Sequence, residues 1–246
     1  MARLSLVWLG SVLIIAMAGL MQTASPSDLI KTSGGNLEIK HVGHASLIFK
    51  YSGKVIHVDP FSKMGGYSRL PKADLVLITH EHQDHLDGRA IKEILTDRTK
   101  VVSNESAAEK VKGALIMRNG DVKTLNGLKI EAVPAYNLVH RRDSGQLYHP
   151  KGRGNGYVIT FGDKRVYVAG DTENIPEMKS LKKIDIAFLP VNLPYTMTAE
   201  MVVDAAQAFK PKVLAPYHYD LGQSDLSKLK GLMKGVQGIE FRILKK

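Results

Sequence analysis

Residues 80 to 85 read His80, Glu81, His82, Gln83, Asp84 and His85, three imidazoles and a carboxylate at the end of the apolar run Asp74-Leu75-Val76-Leu77-Ile78-Thr79. In an extended segment side chains i and i+2 point the same way, so His80 and His82 can grip one cation. Asp84 and His85, past the turn, face a neighbouring position where a second can sit. Two more strand-like runs end in candidate ligands. Asp171 closes Val168-Ala169-Gly170-Asp171-Thr172, where a carboxylate could bridge two cations, and His218 follows Val213-Leu214-Ala215-Pro216-Tyr217. Either one alone reads as an ordinary turn aspartate or a satisfied polar histidine. Their coincidence with residues 80–85 makes a two-metal site the reading, because such a site draws ligands from several strand ends.

The chain has no cysteine. A disulfide framework, a thiolate ligand and a catalytic thiol are therefore excluded, and any metal must be held by His, Asp and Glu. Imidazole with carboxylate suits zinc, and manganese or iron as well.

Short β-rich runs come first: Leu37 to Lys40, Ala45 to Tyr51 and Val55 to Val58, divided by Gly43-His44 and Ser52-Gly53, read as a meander. The strand into the histidine-rich turn precedes a helix from about Gly88 to Leu95, with Ile91, Ile94 and Leu95 on one face. Val101 to Ser103 is a strand and Ala107 to Val111 a short helix. Strands follow at Leu128 to Val133, Gly156 to Phe161 and Arg165 to Ala169, the last two a hairpin across Gly162-Asp163-Lys164. The remainder alternates: helix Glu177 to Leu181, strand Ile186 to Leu189, helix Ala199 to Phe209, strand Val213 to Ala215, helix Leu226 to Met233, strand Ile239 to Ile243. The class is α/β in the broad sense (α+β), with two sheets packed face to face and covered by helices.

The first residues differ in kind. Arg3 is followed by an uncharged, mostly apolar stretch from Leu4 to Met21, then Gln22-Thr23-Ala24-Ser25-Pro26. That pattern predicts a secretory signal over residues 1–24, or an uncleaved membrane anchor, ahead of a catalytic domain over 25–246. Either places the catalytic part outside the cytoplasm, periplasmic or secreted. The formal charge of +10 favours anionic ligands, and no basic strip interleaved with aromatics marks the chain as a nucleic-acid binder.

The set from His80 to His85, a histidine before the next hairpin, Gly170-Asp171-Thr172 and Pro216-Tyr217-His218 together resemble the metallo-β-lactamase superfamily. Within it the chain is similar to the branch of metal-dependent hydrolases related to ascorbate-phosphate lactonase and N-acyl-phosphatidylethanolamine phospholipase D. That branch resemblance rests on Gly43-His44-Ala45-Ser46, Asp59-Pro60, Pro134-Ala135-Tyr136-Asn137, His149-Pro150-Lys151-Gly152 and Val191 to Thr198. It implies a four-layer αββα sandwich of two mixed sheets, a pair of divalent ions, usually Zn2+, and hydrolysis of an ester-type bond.

By position, the resemblance gives the first ion His80, His82 and a third histidine, and the second ion Asp84, His85 and His218, with Asp171 bridging. His149 is the choice for the third histidine and His140 the alternative; Asn137 stands where some relatives carry a histidine. Asp59 resembles the structural aspartate that accepts hydrogen bonds from the metal-binding turn. His44 lines the pocket or serves the core, His41 and His57 have no assigned role, and Tyr217 or Tyr219 could donate to a developing oxyanion.

The expected chemistry is attack of a metal-activated hydroxide on a carbonyl carbon or phosphorus, with Asp84 orienting it and taking its proton. Arg141, Arg142, Lys151 and Arg153 are expected to border the cleft and to favour a phosphodiester, lactone or other anionic, small-molecule or lipid-like substrate. A β-lactam hydrolase and a non-catalytic metal-binding protein of the same fold are the alternatives.

Overall fold

The computed structural model describes residues 28–221 and 224–246; the expected signal or anchor over 1–24 lies outside the described residues. Two seven-stranded sheets form the centre. The first runs in chain order: β1 (Asp28–Thr32), β2 (Gly35–Gly43), β3 (Ser46–Tyr51), β4 (Lys54–Val58), β5 (Leu75–Leu77), β6 (Lys100–Ser103) and β7 (Leu115–Ile116). The second comprises β8 (Val122–Leu125), β9 (Leu128–Ala135), β10 (Gly154–Phe161), β11 (Lys164–Val168), β12 (Ile186–Pro190), β13 (Val213–Tyr217) and β14 (Glu240–Phe241). Each begins with three antiparallel pairings and finishes with three parallel ones.

The antiparallel starts follow from tight turns that reverse the chain at once. In the hairpin β10–β11, Phe161 pairs with Lys164 across Gly162, whose φ of +60° suits a residue without a Cβ. The parallel finishes need crossovers, and those supply the helices. Helices α1 (Gly88–Ile94) and α2 (Glu105–Ala108) cover the first sheet through a cluster that includes Val76, Ile78, Ala90, Ile91 and Ala107. Helices α3 (Pro176–Lys179), α4 (Ala199–Phe209) and α5 (Leu226–Met233) cover the second through Met178, Val202, Phe209, Leu229 and Met233.

Between the sheets lies a third apolar cluster, in which Phe49 packs against Phe161 and Phe188 at ring separations of 5.5 and 6.0 Å. Burying a side chain of that size contributes about 1.5–3 kcal/mol. The order helix, sheet, sheet, helix is the αββα sandwich expected from the resemblance.

Most elements lie where hydrophobic periodicity puts them, and the helices over 199–209 and 226–233 coincide with it. Helix α2 starts two residues earlier than expected and stops at Ala108, because Asn104 caps it by accepting from Ala107 N at 3.0 Å. Strands β1, β7 and β8 are additions at sheet edges. Their side chains are largely exposed, so they carry little apolar alternation to read.

Candidate metal centre

His80, His82, Asp84, His85, His149, Asp171 and His218 converge at one end of the sandwich, where the strands of both sheets finish. Strand β5 delivers Thr79 and His80. Past it the chain turns through His82 and Asp84, and Leu86 N donates to His82 O at 2.8 Å. From the other sheet, β11 runs into Gly170 and Asp171, and β13 into His218. Gly170 is required here: a Cβ would sit 2.7 Å from Asn155 O and 3.2 Å from Thr79 Cβ, and its φ is +68°. The two halves of the site are thus in backbone contact, and Asn155 N donates to Thr79 O at 2.9 Å.

The donor atoms form overlapping sets within 4.8 Å of one another: His80, His82 and His149 with Asp171; His85 and His218 with Asp171; and His44, Asp84 and His218. In the first, His82 Nδ1 lies 3.0 Å from His80 Nε2 and 3.2 Å from His149 Nε2. In the second, the Nε2 atoms of His85 and His218 are 2.9 Å apart. Asp171 turns one oxygen to each, Oδ2 at 3.3 Å from His149 Nε2 and Oδ1 at 3.2 Å from His218 Nε2. Asp84 Oδ2 is 3.5 Å from both His85 and His218.

Those separations fit a metal. Ligands at the 2.0–2.1 Å of a zinc–nitrogen bond lie about 3.3 Å apart around a tetrahedron. The ring orientations agree, because the far nitrogens of four facing imidazoles, His80, His85, His149 and His218, each meet a polar group. His80 Nδ1 meets Thr79 Oγ1 at 3.0 Å, His85 Nδ1 meets Asp59 Oδ2 at 2.7 Å, and His149 Nδ1 meets Asn137 Oδ1 at 2.7 Å. His218 Nδ1 lies 3.1 Å from the Asn192 side-chain amide. Asn192 Oδ1 is buried without a partner, and turned toward the ring it would accept the Nδ1 proton. Protons held on Nδ1 leave the Nε2 lone pairs converging on the gap beside Asp171 Oδ1, itself buried without a hydrogen bond.

The carboxylates draw positive charge to the His85 side of the site. Burial works to lower the His85 pKa, but Asp171, Asp84 and Asp59 override it and hold it well above the ordinary histidine value. Burial works to raise the Asp171 and Asp84 carboxyls; His218 and His85 hold Asp171 far below its ordinary value, and His85 with His218 and His44 does the same for Asp84. Burial, aided by the neighbouring imidazoles, depresses His80 well below 6.5 and His82 to about 4.

His140 is not part of these sets. Its Nδ1 lies 2.8 Å from Glu173 Oε1, and its backbone N–H donates to the same oxygen at 2.8 Å. Asn137 is no gap in the ligand set: it accepts from both the ring and the backbone N–H of His149. Asp59 sits buried at a φ of +44° and accepts from Thr79 N, Thr79 Oγ1 and His85 Nδ1.

His44 does line the cleft. Its Nε2 lies 3.1 Å from Asp84 Oδ2, and its Nδ1 is buried without a partner. The two tyrosines near His218 do not reach the cleft. Tyr217 is fully buried, with its hydroxyl accepting from Gly170 N at 2.8 Å, and Tyr219 stands 3.4 Å from His41 Nδ1. Tyr148 and Tyr195 line the cleft instead.

That cleft, of about 470 Å³, opens over Asp84, Asp171, His149 and His218. Of the four basic residues expected to border it, Arg142 does, and Arg153 lines a small adjoining pocket against His80, His82, His149 and Asp171. Arg141 donates to Gly145 O, Lys151 pairs with Glu177, and Arg153 pairs with Glu81. Lys63, 5.8 Å over the Phe61 ring, is a second cleft cation that no motif had marked; Arg142 lies 5.0 Å over Tyr148.

Comparison with known proteins agrees with this geometry. A family model, the beta-lactamase superfamily domain, matches residues 38–218. A UPF0173 metal-dependent hydrolase of Nanoarchaeum equitans is 34% identical over 75% of this chain and 84% of its own length. One from Pelotomaculum thermopropionicum is 30% identical over 85% of this chain and 96% of its own. Among solved structures, one described as a metal-dependent hydrolase from Parabacteroides distasonis superimposes with a TM-score of 0.84 and 48% identity, covering 89% of this chain and 98% of that one. A metallo hydrolase of Ignicoccus hospitalis superimposes with a TM-score of 0.69 at 26% identity, over 85% and 95% of the two chains. The chain belongs to the beta-lactamase superfamily, among its UPF0173 metal-dependent hydrolases.

Proposed function

We propose that this chain holds two divalent ions, zinc in the first instance, and hydrolyses an ester-type bond, phosphodiester or lactone, in an anionic substrate. The observation that carries the reading is the division of Asp171, whose two oxygens face separate sets of imidazoles at 3.3 and 3.2 Å. A carboxylate divided this way would be shared by two ions. His80, His82 and His149 would hold the first, and Asp84, His85 and His218 the second. Ions in those positions supply a Lewis acid and a water acidic enough to ionise near neutrality.

The protein's own groups do the rest. Asp84, held ionised and partly exposed to the cleft, is the carboxylate placed to accept a proton from the attacking water. His44 keeps it there by donating from Nε2. With its far nitrogen buried and without an acceptor, His44 differs from His80, His85, His149 and His218 and acts as a donor to Asp84 rather than as a ligand. Lys63 and Arg142 hold the anionic part of the substrate over the centre. Residues 1–24 would export the enzyme or anchor it, placing the centre outside the cytoplasm.

The test is hydrolysis of bis(p-nitrophenyl) phosphate and of a simple lactone by the purified protein, before and after chelation. Turnover of one of them, lost with chelator and restored by metal, is the expected result. Turnover indifferent to chelation would overturn the reading.

A further inference from the structure

Beside the cleft, two large apolar side chains are held out in water by a rigid anchor. Leu138 is 44% exposed and Val139 62%. Their backbone N–H groups both donate to Glu173 Oε2 at 2.8 Å, while Asn137 Nδ2 and His140 N donate to Oε1 at 2.9 and 2.8 Å. Glu173 is itself fully buried, so a desolvated carboxylate satisfied by four donors fixes this loop.

The same segment continues into Arg142, in the cleft, and Asn137 Nδ2 also donates to Tyr195 O at 2.9 Å. Tyr195, 41% exposed, lines the cleft together with Leu221, 42% exposed. Two exposed apolar side chains, Tyr195 and Leu221, thus belong to a cleft that carries Lys63 and Arg142, and two more, Leu138 and Val139, stand on the loop that Asn137 ties to Tyr195. Together they fall far short of the roughly 20–30 residues a side of a stable protein interface. Cationic and apolar surfaces placed side by side match one molecule with an anionic end and an apolar end.

We propose that the substrate is a single amphiphile, an anionic ester whose head lies between Lys63 and Arg142 and whose apolar arm lies along Tyr195, Leu138 and Val139. This rests on the metal-hydrolase reading of the same centre. The rigid loop meets the arm without having to be ordered first, so apolar burial there goes into affinity.

Calorimetric binding of methyl, butyl and octyl phosphate to the metal-loaded protein, below their micellar concentrations, tests it without turnover. Half-removal of an arm from water strengthens binding roughly twofold per methylene, so octyl phosphate should bind at least about tenfold tighter than methyl phosphate. In Leu138→Ser/Val139→Ser that ratio should fall toward one. Leu115→Ser, an exposed leucine on the edge strand β7 that lines neither the cleft nor the Glu173-anchored loop, should keep it. Equal affinity for the three phosphates overturns the amphiphile and leaves the hydrolase reading standing on its own chelation test. No binding of any of them removes the anionic substrate, and the amphiphile with it.

Discussion

Asn137 Oδ1 lies 2.7 Å from His149 Nδ1 and 2.8 Å from the His149 backbone nitrogen. One amide oxygen thus fixes both the ring and the main chain of a residue twelve positions away. The return bond, Asn137 N to His149 O at 2.9 Å, is that of a short bridge between two loop segments. Removing the oxygen frees the ring to rotate and leaves a buried N–H unpaired. In Asn137→Ala, affinity for the first ion should fall about 10- to 100-fold, the usual effect of losing such a partner, with the fold retained. Competition against a chromophoric chelator reads this directly; an unchanged affinity would show that Asn137 does not hold the ligand.

This pair also marks where sequence reading reaches its limit. His80 to His85 are legible because the strand, the turn and four donors are contiguous, so spacing alone encodes which side chains converge. His149 and His140 could not be separated that way. What separates them is Asn137 on one side and Glu173 on the other, and the histidine closer to the strand end is the one Glu173 captures. The basic segment misled for the same reason. Four cations in one loop look alike until their carboxylate partners, Glu81 and Glu177, are brought in from elsewhere in the chain.

The cleft cations give a prediction that separates neighbours. Arg142→Ala and Lys63→Ala should each raise KM for anionic substrates roughly tenfold, the worth of a charge-assisted hydrogen bond. Arg141→Ala, whose guanidinium is spent on Gly145 O, should leave KM unchanged. Steady-state kinetics on the three variants decide it, and equal effects at Arg141 and Arg142 would contradict the placement.

His57 predicts how stability responds to acid. It is fully buried, its Nε2 bonds Pro71 O at 3.0 Å, and burial lowers its pKa from 6.5 to about 4. The folded state therefore favours the neutral ring. Its contribution is intact above pH 6.5 and is lost as pH falls toward 4, about 3 kcal/mol in all. Denaturant unfolding at pH 7.5 and 4.5 should show a smaller loss in His57→Asn than in the parent chain. Parallel losses would mean that His57 does not carry this dependence.

The inter-sheet core should be unforgiving. Phe49 is buried between the two sheets among Phe161 and Phe188. Phe49→Ala should cost about 3–5 kcal/mol by denaturant unfolding. A loss below ~1 kcal/mol would mean that the sheets collapse onto the cavity.

Among the described residues, Asp171 is the carboxylate that faces both sets of imidazoles. Metal content per chain, measured on the parent and on Asp171→Ala after equilibration with excess zinc and gel filtration, tests that role most directly. Two ions are expected in the parent and at most one in the variant. Two ions in both would show that Asp171 bridges nothing, and a single ion in the parent would contradict the paired centre.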